Sequence, residues 1–579
     1  MSTPVGEAGC DIAAERTWAR RYSMLSMLVL AGGAALAAVI PFFFLGNASG
    51  HDFEFHLASW MEVARQWREG VIYPRWAALA NWGFGEPRFI FYPPASWMLG
   101  AALSFILPWS MVPGAFIWVA LTISGVSMFT LAKEWLPTQD AMGAGVLFAL
   151  NPYHLVIVYW RSDFAELLAS AFIPLAVLFA TRAAIRPWQA LVPLALVTAA
   201  VWLSNAPAAV VVTYSIVLML VTIAVHERRL QPLLVGGGAM ALGLALAAFY
   251  IVPAAFEQSW VNISEALASG LRFQESFLFT RIADVEHTRF NSVVSWVATG
   301  MLATTICSCF AVRQRLQRQY PRLWWVLLTL IGISTVLMLP LTSPLWEHVP
   351  KLRYVQFPWR WLLALDVPFA LCLVAAISGL RRLTKCAVSA VVLAGLAGTG
   401  LLLTRNHWWD PGGVAEFYRQ HFSGGTGYFG TDEYEPRDTD HYDLDQGAPR
   451  VYLRRPKRAA PAPTAKIKIE SWRATQKEFL VHAPEPVSAA LRLLDYPAWR
   501  VEVNGRPVSA VAKQNTGEML ISLPAGTSRV RIVFATTRDR VLGNIISLLA
   551  AATILVIVVS TAHRSASTYS YGRSSFVLL

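Results

Sequence analysis

Charge is scarce in this chain: Asp, Glu, Lys and Arg make up 15% of 579 residues, against 55% hydrophobic ones. A composition so short of charge, with a mean hydropathy of +0.45, excludes an ordinary soluble globular protein. Cysteine is scarce too. The five cysteines, Cys10, Cys307, Cys309, Cys372 and Cys386, fall in the N-terminal tail or within or beside apolar runs, so no disulfide framework is expected. No small-residue cleavage site follows the first apolar run, which therefore reads as an uncleaved helix behind Arg16, Arg20 and Arg21. A net charge of +12 could point to nucleic acid, but the basic residues sit in short clusters between apolar runs, which marks topology signals and excludes a nucleic-acid patch.

What is present is a series of runs long enough to cross a bilayer. They lie at 23–45, 111–132, 141–160, 167–184, 188–204, 207–225, 233–255, 292–312, 323–340, 359–379, 386–403 and 542–562, about 12 transmembrane helices. A further piece at 95–108 is too short and reads as re-entrant or juxtamembrane. With that choice Arg182/Arg186, Arg228/Arg229, Arg313/Arg315/Arg318 and Arg381/Arg382/Lys385 share the cytoplasmic side with the N-terminus. The opposite side receives 46–110, 257–291, 341–358 and 404–541, and chemistry is expected there.

The organisation expected is a transmembrane domain over 1–403, a linker or ordered loop over 404–449, an extracytoplasmic β-sandwich over 450–541, and a final helix with a cytoplasmic tail over 542–579. Alternating stretches such as Lys466–Glu470, Arg500–Val503, Met519–Leu523 and Arg529–Phe534, punctuated by Asn504-Gly505 and Pro524-Ala-Gly526, predict antiparallel strands joined by hairpins. A lid or packing module is the commoner role of such a domain, sugar or polymer binding the rarer.

Three outward constellations carry the charged residues. In Gly50-His-Asp-Phe-Glu-Phe-His56, Asp52 precedes an amphipathic helix ended by Gly70; it is either the helix N-cap or a general base or metal ligand with Glu54 or His56 beside it. In Asn151-Pro-Tyr-His154 and the following Tyr159–Glu166, Pro152 interrupts a span, and Arg161, Asp163 and Glu166 crowd the membrane surface, as a snorkelling ion pair or as part of a cavity shared with Asp52. In Lys351–Trp361, cations run against the positive-inside bias. Arg353 and Arg360 suit a phosphate through their planar forks, whether of an ordinary phospholipid or of a carrier.

Together with Tyr73-Pro-Arg-Trp76, Gly83-Phe-Gly-Glu-Pro87, Phe91-Tyr-Pro-Pro94, Pro253 with Glu257, Gln356-Phe-Pro-Trp-Arg360, Asp432-Glu-Tyr-Glu-Pro436 and Asp495-Tyr-Pro-Ala-Trp499, these motifs span nearly the whole chain. In that order they resemble the bacterial membrane family labelled 6-pyruvoyl-tetrahydropterin synthase-related, akin to YfhO-like proteins and similar to the GT-C glycosyltransferases. The resemblance implies a GT-C-like polytopic α-helical fold in the bacterial inner membrane, with site loops and sandwich on the periplasmic or extracellular side. It implies transfer of a sugar from a polyprenyl-phosphate carrier to an unidentified acceptor at the outer face of the bilayer. By motif position Asp52, with Glu54 as companion, takes the role of base or metal ligand, and Asp163 or Glu166 supplies the acid of the next loop. His56, Arg161 and Gln356 are then substrate-binding candidates, and Arg353 and Arg360 join them for the carrier phosphate by position and chemistry, without a firm family motif. A divalent metal has hard oxygen ligands in Asp52, Glu54 and Asp163, although no spacing demands it. Trp408-Trp-Asp410 has the letters of an oligosaccharyltransferase acceptor motif without the rest of that pattern, and no His-rich zinc site of a soluble pterin synthase is present. A non-catalytic scaffold and a lipid-linked-sugar transporter or flippase stay as alternatives; a transporter should show paired internal repeats, which the sequence lacks.

Overall fold

The computed structural model describes residues 6–405, 409–437, 439–454 and 465–574. The chain is mostly helical. Among the described residues ten helices are long and apolar enough to cross a membrane, or up to twelve if each of two broken pairs counts as one span. That is the expected consequence of long apolar runs, whose backbone N–H and C=O groups can be satisfied in lipid only within a helix. The segment 95–108 forms a helix over Pro94–Leu103 alone, 10 residues, too short to cross. Two expected spans are interrupted. One breaks at Ala247, and in its second half Pro253 cannot donate to Phe249 O, which instead accepts from Arg75 Nη2 at 3.2 Å. The other turns by 89° between Pro321–Leu337 and Pro340–His348.

The chain divides into two compact units, interleaved in sequence. The first comprises Met1–Glu54, Met111–Gly243 and Gly270–Pro411. Its helices approach closely where side chains are absent: a Cβ on Gly145 would lie 2.6 Å from Gly125 O, and one on Gly125 would lie 2.9 Å from Ala31 Cβ. The most apolar stretch of Pro358–Ser378 is 83% buried and so central to the bundle, whereas that of Arg382–Arg405 is only 6% buried and lies at its periphery. Arg360 and Asp366, both in the first of these spans, are buried. A two-stranded ladder pairs β1 (Asn47–Ala48) with β2 (Trp409–Asp410), tying the end of the first span to the end of Arg382–Arg405.

The second unit comprises Phe55–Ser110, Leu244–Ser269 and Gly412–Leu579. It carries β3 (Val451–Arg454), β4 (Lys466–Trp472), β5 (Gln476–Ala483), β6 (Val487–Leu494), β7 (Trp499–Val503), β8 (Arg506–Val508), β9 (Val511–Ala512), β10 (Glu518–Leu523) and β11 (Gly526–Phe534). These form a four-stranded sheet in the order β3-β6-β10-β9 and a five-stranded sheet in the order β4-β5-β11-β7-β8, with antiparallel pairing throughout. Asn504 and Gly505, with φ of +51° and +76°, make the two-residue turn between β7 and β8 that the Asn-Gly pair predicts. Alternate residues of both sheets, Phe479 and Val481 from one and Leu491, Met519 and Ile521 from the other, enter a single apolar cluster.

The motifs of the first long loop pack into that cluster. Trp76 meets Trp499 edge-on at 5.4 Å and Tyr496 at 5.7 Å, and a Cβ on Gly85 would lie 2.1 Å from Trp76 Nε1, so only glycine fits there. Glu86 binds Arg88 Nε at 2.6 Å and Thr431 N at 2.9 Å. Glu257 grips Arg540 with both oxygens, at 2.7 and 2.8 Å, and accepts from the Tyr496 hydroxyl at 2.6 Å.

Candidate functional site

In the first unit the span that starts at Thr138 ends irregularly. After Pro152, capped by Asn151 through His154 N at 2.9 Å, the helix widens into a π-turn over Ile157–Arg161 and closes with Ser162 in the left-handed region, φ +52°. Such a π-turn costs regular helix geometry and is frequent at functional sites. Its effect here is to swing Arg161 and Asp163 toward the end of the first span. There Gly50 approaches so closely that a Cβ would lie 2.6 Å from Trp160 O. Gly50 N donates to Ser162 Oγ at 3.1 Å, Ser162 Oγ to Ala48 O at 2.8 Å, and Asp52 N to Arg161 O at 2.9 Å. Backbone bonds therefore fix Asp52 beside Arg161 from 109 residues away in sequence.

The side chains then close a network. Arg161 Nη2 lies 3.0 Å from Asp52 Oδ2 and 3.1 Å from Asp163 Oδ2, and its Nη1 lies 2.6 Å from Glu166 Oε2. Arg360, at the start of the central helix, donates from Nε to the same Glu166 oxygen at 2.9 Å and from Nη2 to Asp163 at 3.2 Å. Its Nη1 reaches Val355 O at 2.8 Å and Gln356 Oε1 at 3.2 Å. Gln356 can turn back in this way because its own φ is +65°. The other Glu166 oxygen accepts from the Tyr153 hydroxyl. Phe357 and Trp359, stacked at 4.8 Å, cover the guanidiniums: Arg161 lies 5.0 Å from the Trp359 ring centre and Arg360 4.9 Å from that of Phe357.

Two guanidiniums face three carboxylates, and burial grades the three. The side chain of Glu166 is 0% exposed, that of Asp163 4% and that of Asp52 25%, so Asp52 is the carboxylate an incoming molecule can reach. Burial works to raise the Asp52 pKa, but the hydrogen bond from His51 Nδ1 at 2.8 Å and the Arg161 charge outweigh it and hold the carboxyl below its ordinary value. The same hydrogen bond and the Asp52 charge raise the pKa of His51.

The sequence candidates separate accordingly. Asp52, Arg161, Asp163, Glu166, Gln356 and Arg360 converge. Glu54 is exposed on the first turn of the following helix. Arg353 is exposed too, with its guanidinium 5.1 Å from the Tyr354 ring centre. His56 belongs to the second unit, where it is buried among Phe55, Trp60 and Tyr92 with Nδ1 3.4 Å from Ser96 Oγ. A metal at Asp52, Glu54 and Asp163 does not fit this donor set: Oδ2 of each aspartate already faces Arg161 Nη2, and Asp52 Oδ1 faces His51. Two further titratable residues of this unit were not singled out from the sequence. His51 was visible only as a neighbour of Asp52. Asp366 lies wholly buried in the central helix, 3.6 Å from His154 Nε2; a lone carboxylate inside an apolar run was the available signal.

Fold and site together define a polytopic helical membrane protein whose span ends assemble a buried arginine and carboxylate network. Residues 89–405 match the family described as 6-pyruvoyl-tetrahydropterin synthase related domain, a membrane protein family, and the chain belongs to that family. No curated protein matches the chain. The matched stretch includes Arg161, Asp163, Glu166, Gln356 and Arg360 and begins after Asp52.

Proposed function

We propose that this chain is a GT-C type glycosyltransferase of a bacterial inner membrane, transferring a sugar from a polyprenyl-phosphate carrier to an acceptor hydroxyl at the outer face of the bilayer. One observation supports this reading above the rest: Asp52 is the partly exposed carboxylate of an otherwise buried, guanidinium-held network. In this reading the acceptor oxygen forms its bond to the anomeric carbon as the bond from that carbon to the carrier phosphate breaks. Asp52, ionised at neutral pH and steadied by Arg161, receives the hydroxyl proton as that bond forms. The leaving phosphate keeps its negative charge and needs a cation more than a proton. Arg353, exposed, supplies it, while Arg360 holds Asp163 and Glu166 in place. The sheets of the second unit act as a periplasmic β-sandwich.

The test exchanges Asp52 for asparagine, which is nearly isosteric and can still receive the Arg161 hydrogen bond but has no useful proton affinity. Asp52→Asn is expected to insert normally and to lose sugar transfer by at least about a hundredfold, the lower range for general-base catalysis. Full transfer by the variant, assayed with a polyprenyl-phosphate sugar in proteoliposomes, would remove Asp52 from the chemistry.

A further inference from the structure

A separate cluster lies wholly within the second unit. Asp432–Tyr434 is a 3-10 turn followed directly by Glu435, and because such a turn has three residues per revolution, Asp432 and Glu435 project from one side of it. His441 opens a second 3-10 turn, His441–Asp443, whose N-cap Asp440 accepts from Tyr442 N at 2.9 Å. The turns bring His441 Nδ1 into contact with Glu435 Oε1 and to 3.6 Å from Asp432 Oδ1, with all three donor atoms within 4.8 Å of one another. Phe429 meets the imidazole edge-on at 4.4 Å, and Tyr442 lies at 4.2 Å. His441 is 1% exposed and Glu435 3%, and His441 Nε2 has no hydrogen-bond partner among the described residues.

The charges do not balance. Among the described residues neither Asp432 nor Glu435 has a Lys or Arg ion-pair partner. Arg88 is already engaged by Glu86. Two carboxylates, one of them buried, converge on one imidazole nitrogen; a protonated His441 would offset one of these charges, and a divalent cation offsets both.

We infer that Asp432, Glu435 and His441 form a divalent transition-metal site of the zinc class. One imidazole nitrogen and two carboxylate oxygens are three of the four ligands of a tetrahedral Zn2+ ion, and the half-exposed Asp432 leaves the fourth position open to water. The mixed nitrogen and oxygen set favours Zn2+ over Mg2+ or Ca2+, which take oxygen alone. The ion would pin the two turns together. Because Thr431, next to Asp432, binds Glu86 through its N–H and Arg88 through its hydroxyl at 3.0 Å, it would also fix the loop that carries those residues. Nothing in this inference depends on the transferase reading.

The full chain, purified in detergent and stripped with a chelator, is titrated with Zn2+ by calorimetry and with Co2+ by visible absorption. One saturable equivalent is expected, with a thermal midpoint that rises on Zn2+ addition. Glu435→Gln and His441→Gln should each weaken Zn2+ by more than the tenfold to hundredfold, roughly, that loss of an outer-shell partner costs. Glu433→Gln, beside the cluster, should bind as the natural chain does. Absence of saturable binding by the natural chain, or unchanged affinity in the Glu435 and His441 variants, overturns the inference. Should those two fail to fold, Asp432→Asn at its half-exposed position carries the test alone: an affinity equal to that of the natural chain refutes the site.

Discussion

The helices of the first unit hold charged pairs at both ends, and the two ends are built differently. Thr138–Arg161 has Asp140 in its first turn and Arg161 at its last residue; Phe164–Arg182 begins beside Asp163 and finishes at Arg182. At the Asp140 end the pairs are separate and half-exposed: Arg182 with Glu134 at 2.5 Å, Lys385 with Asp140 at 2.7 Å, and Arg322 with Glu227. Several of these residues line an open cleft of about 390 Å³. At the Arg161 end five charged side chains share oxygens and nitrogens in one buried network under two stacked aromatic rings. Exposed pairs add little to stability, because water already solvates both partners well. A buried network is expensive to assemble and holds its geometry once assembled, which is a property of sites and not of surfaces.

The largest effect should come from removing the charge both arginines share. Glu166→Gln keeps the shape but leaves two buried guanidiniums with too little negative charge, and breaking a buried pair typically costs about 3–5 kcal/mol. Its thermal midpoint in detergent should fall far below that of Arg182→Ala, where loss of an exposed pair is worth less than about 1 kcal/mol. Equal destabilisation of the two variants would erase the distinction between the ends.

A smaller change divides Arg353 from Arg360, which the sequence shows as equivalent. Lysine keeps the charge but has no fork. Arg360→Lys should lower the thermal midpoint, since one ammonium cannot serve Asp163, Glu166, Val355 and Gln356 together. Arg353→Lys should leave the midpoint alone and weaken polyprenyl-phosphate binding about tenfold, the value of one charge-assisted hydrogen bond. The reverse pattern would return the carrier phosphate to Arg360.

That equivalence shows where the sequence is legible and where it is not. Charged residues flanking long apolar runs are costly enough in lipid to stand out, so Asp52, Arg161, Asp163, Glu166 and Arg360 are visible in the sequence, but Glu54, His56 and Arg353 stand out by the same signal and do not join them. The strands at 466–534 are legible for a similar reason, because alternation and an Asn-Gly turn are local signals. Convergence is another matter. What brings Asp52 to Arg161 is a π-turn, a left-handed Ser162 and the closeness that Gly50 permits, and none has a periodic signature. Between exposed Arg353 and buried Arg360 the chain passes through the positive φ of Gln356, and a string of basic letters does not encode it. Asp366 vanished into an apolar run, and although Asp432-Glu-Tyr-Glu-Pro436 stands out as a motif, nothing in a segment read as a linker or ordered loop joins it to His441 on the next short turn.

The smallest effect concerns the rim of the network, where the buried end meets water. His51 is mostly exposed, with a side chain 72% accessible, yet its ring bonds Asp52 at 2.8 Å. Its pKa is raised in the fold, so its contribution to stability is fully present below the unfolded histidine value of about 6.5 and is lost as pH rises through the raised folded value. Asp52 runs the other way: its pKa is lowered, so its contribution is present above the unfolded carboxylate value of about 3.9 and disappears only as pH falls through the lowered folded one. The pair is therefore strongest between those unfolded values, on the acid side of neutrality. His51→Gln should lower the thermal midpoint slightly at about pH 5.5, by less than the equivalent of about 1 kcal/mol because solvent screens so exposed a ring, and should match the natural chain at about pH 9. Glu166→Gln, with its partners sealed from water, should show no such recovery at either pH. A His51→Gln deficit that persists unchanged at the higher pH would mean that the ring supports Asp52 by packing and not by charge, and the rim would then behave like the buried network beneath it.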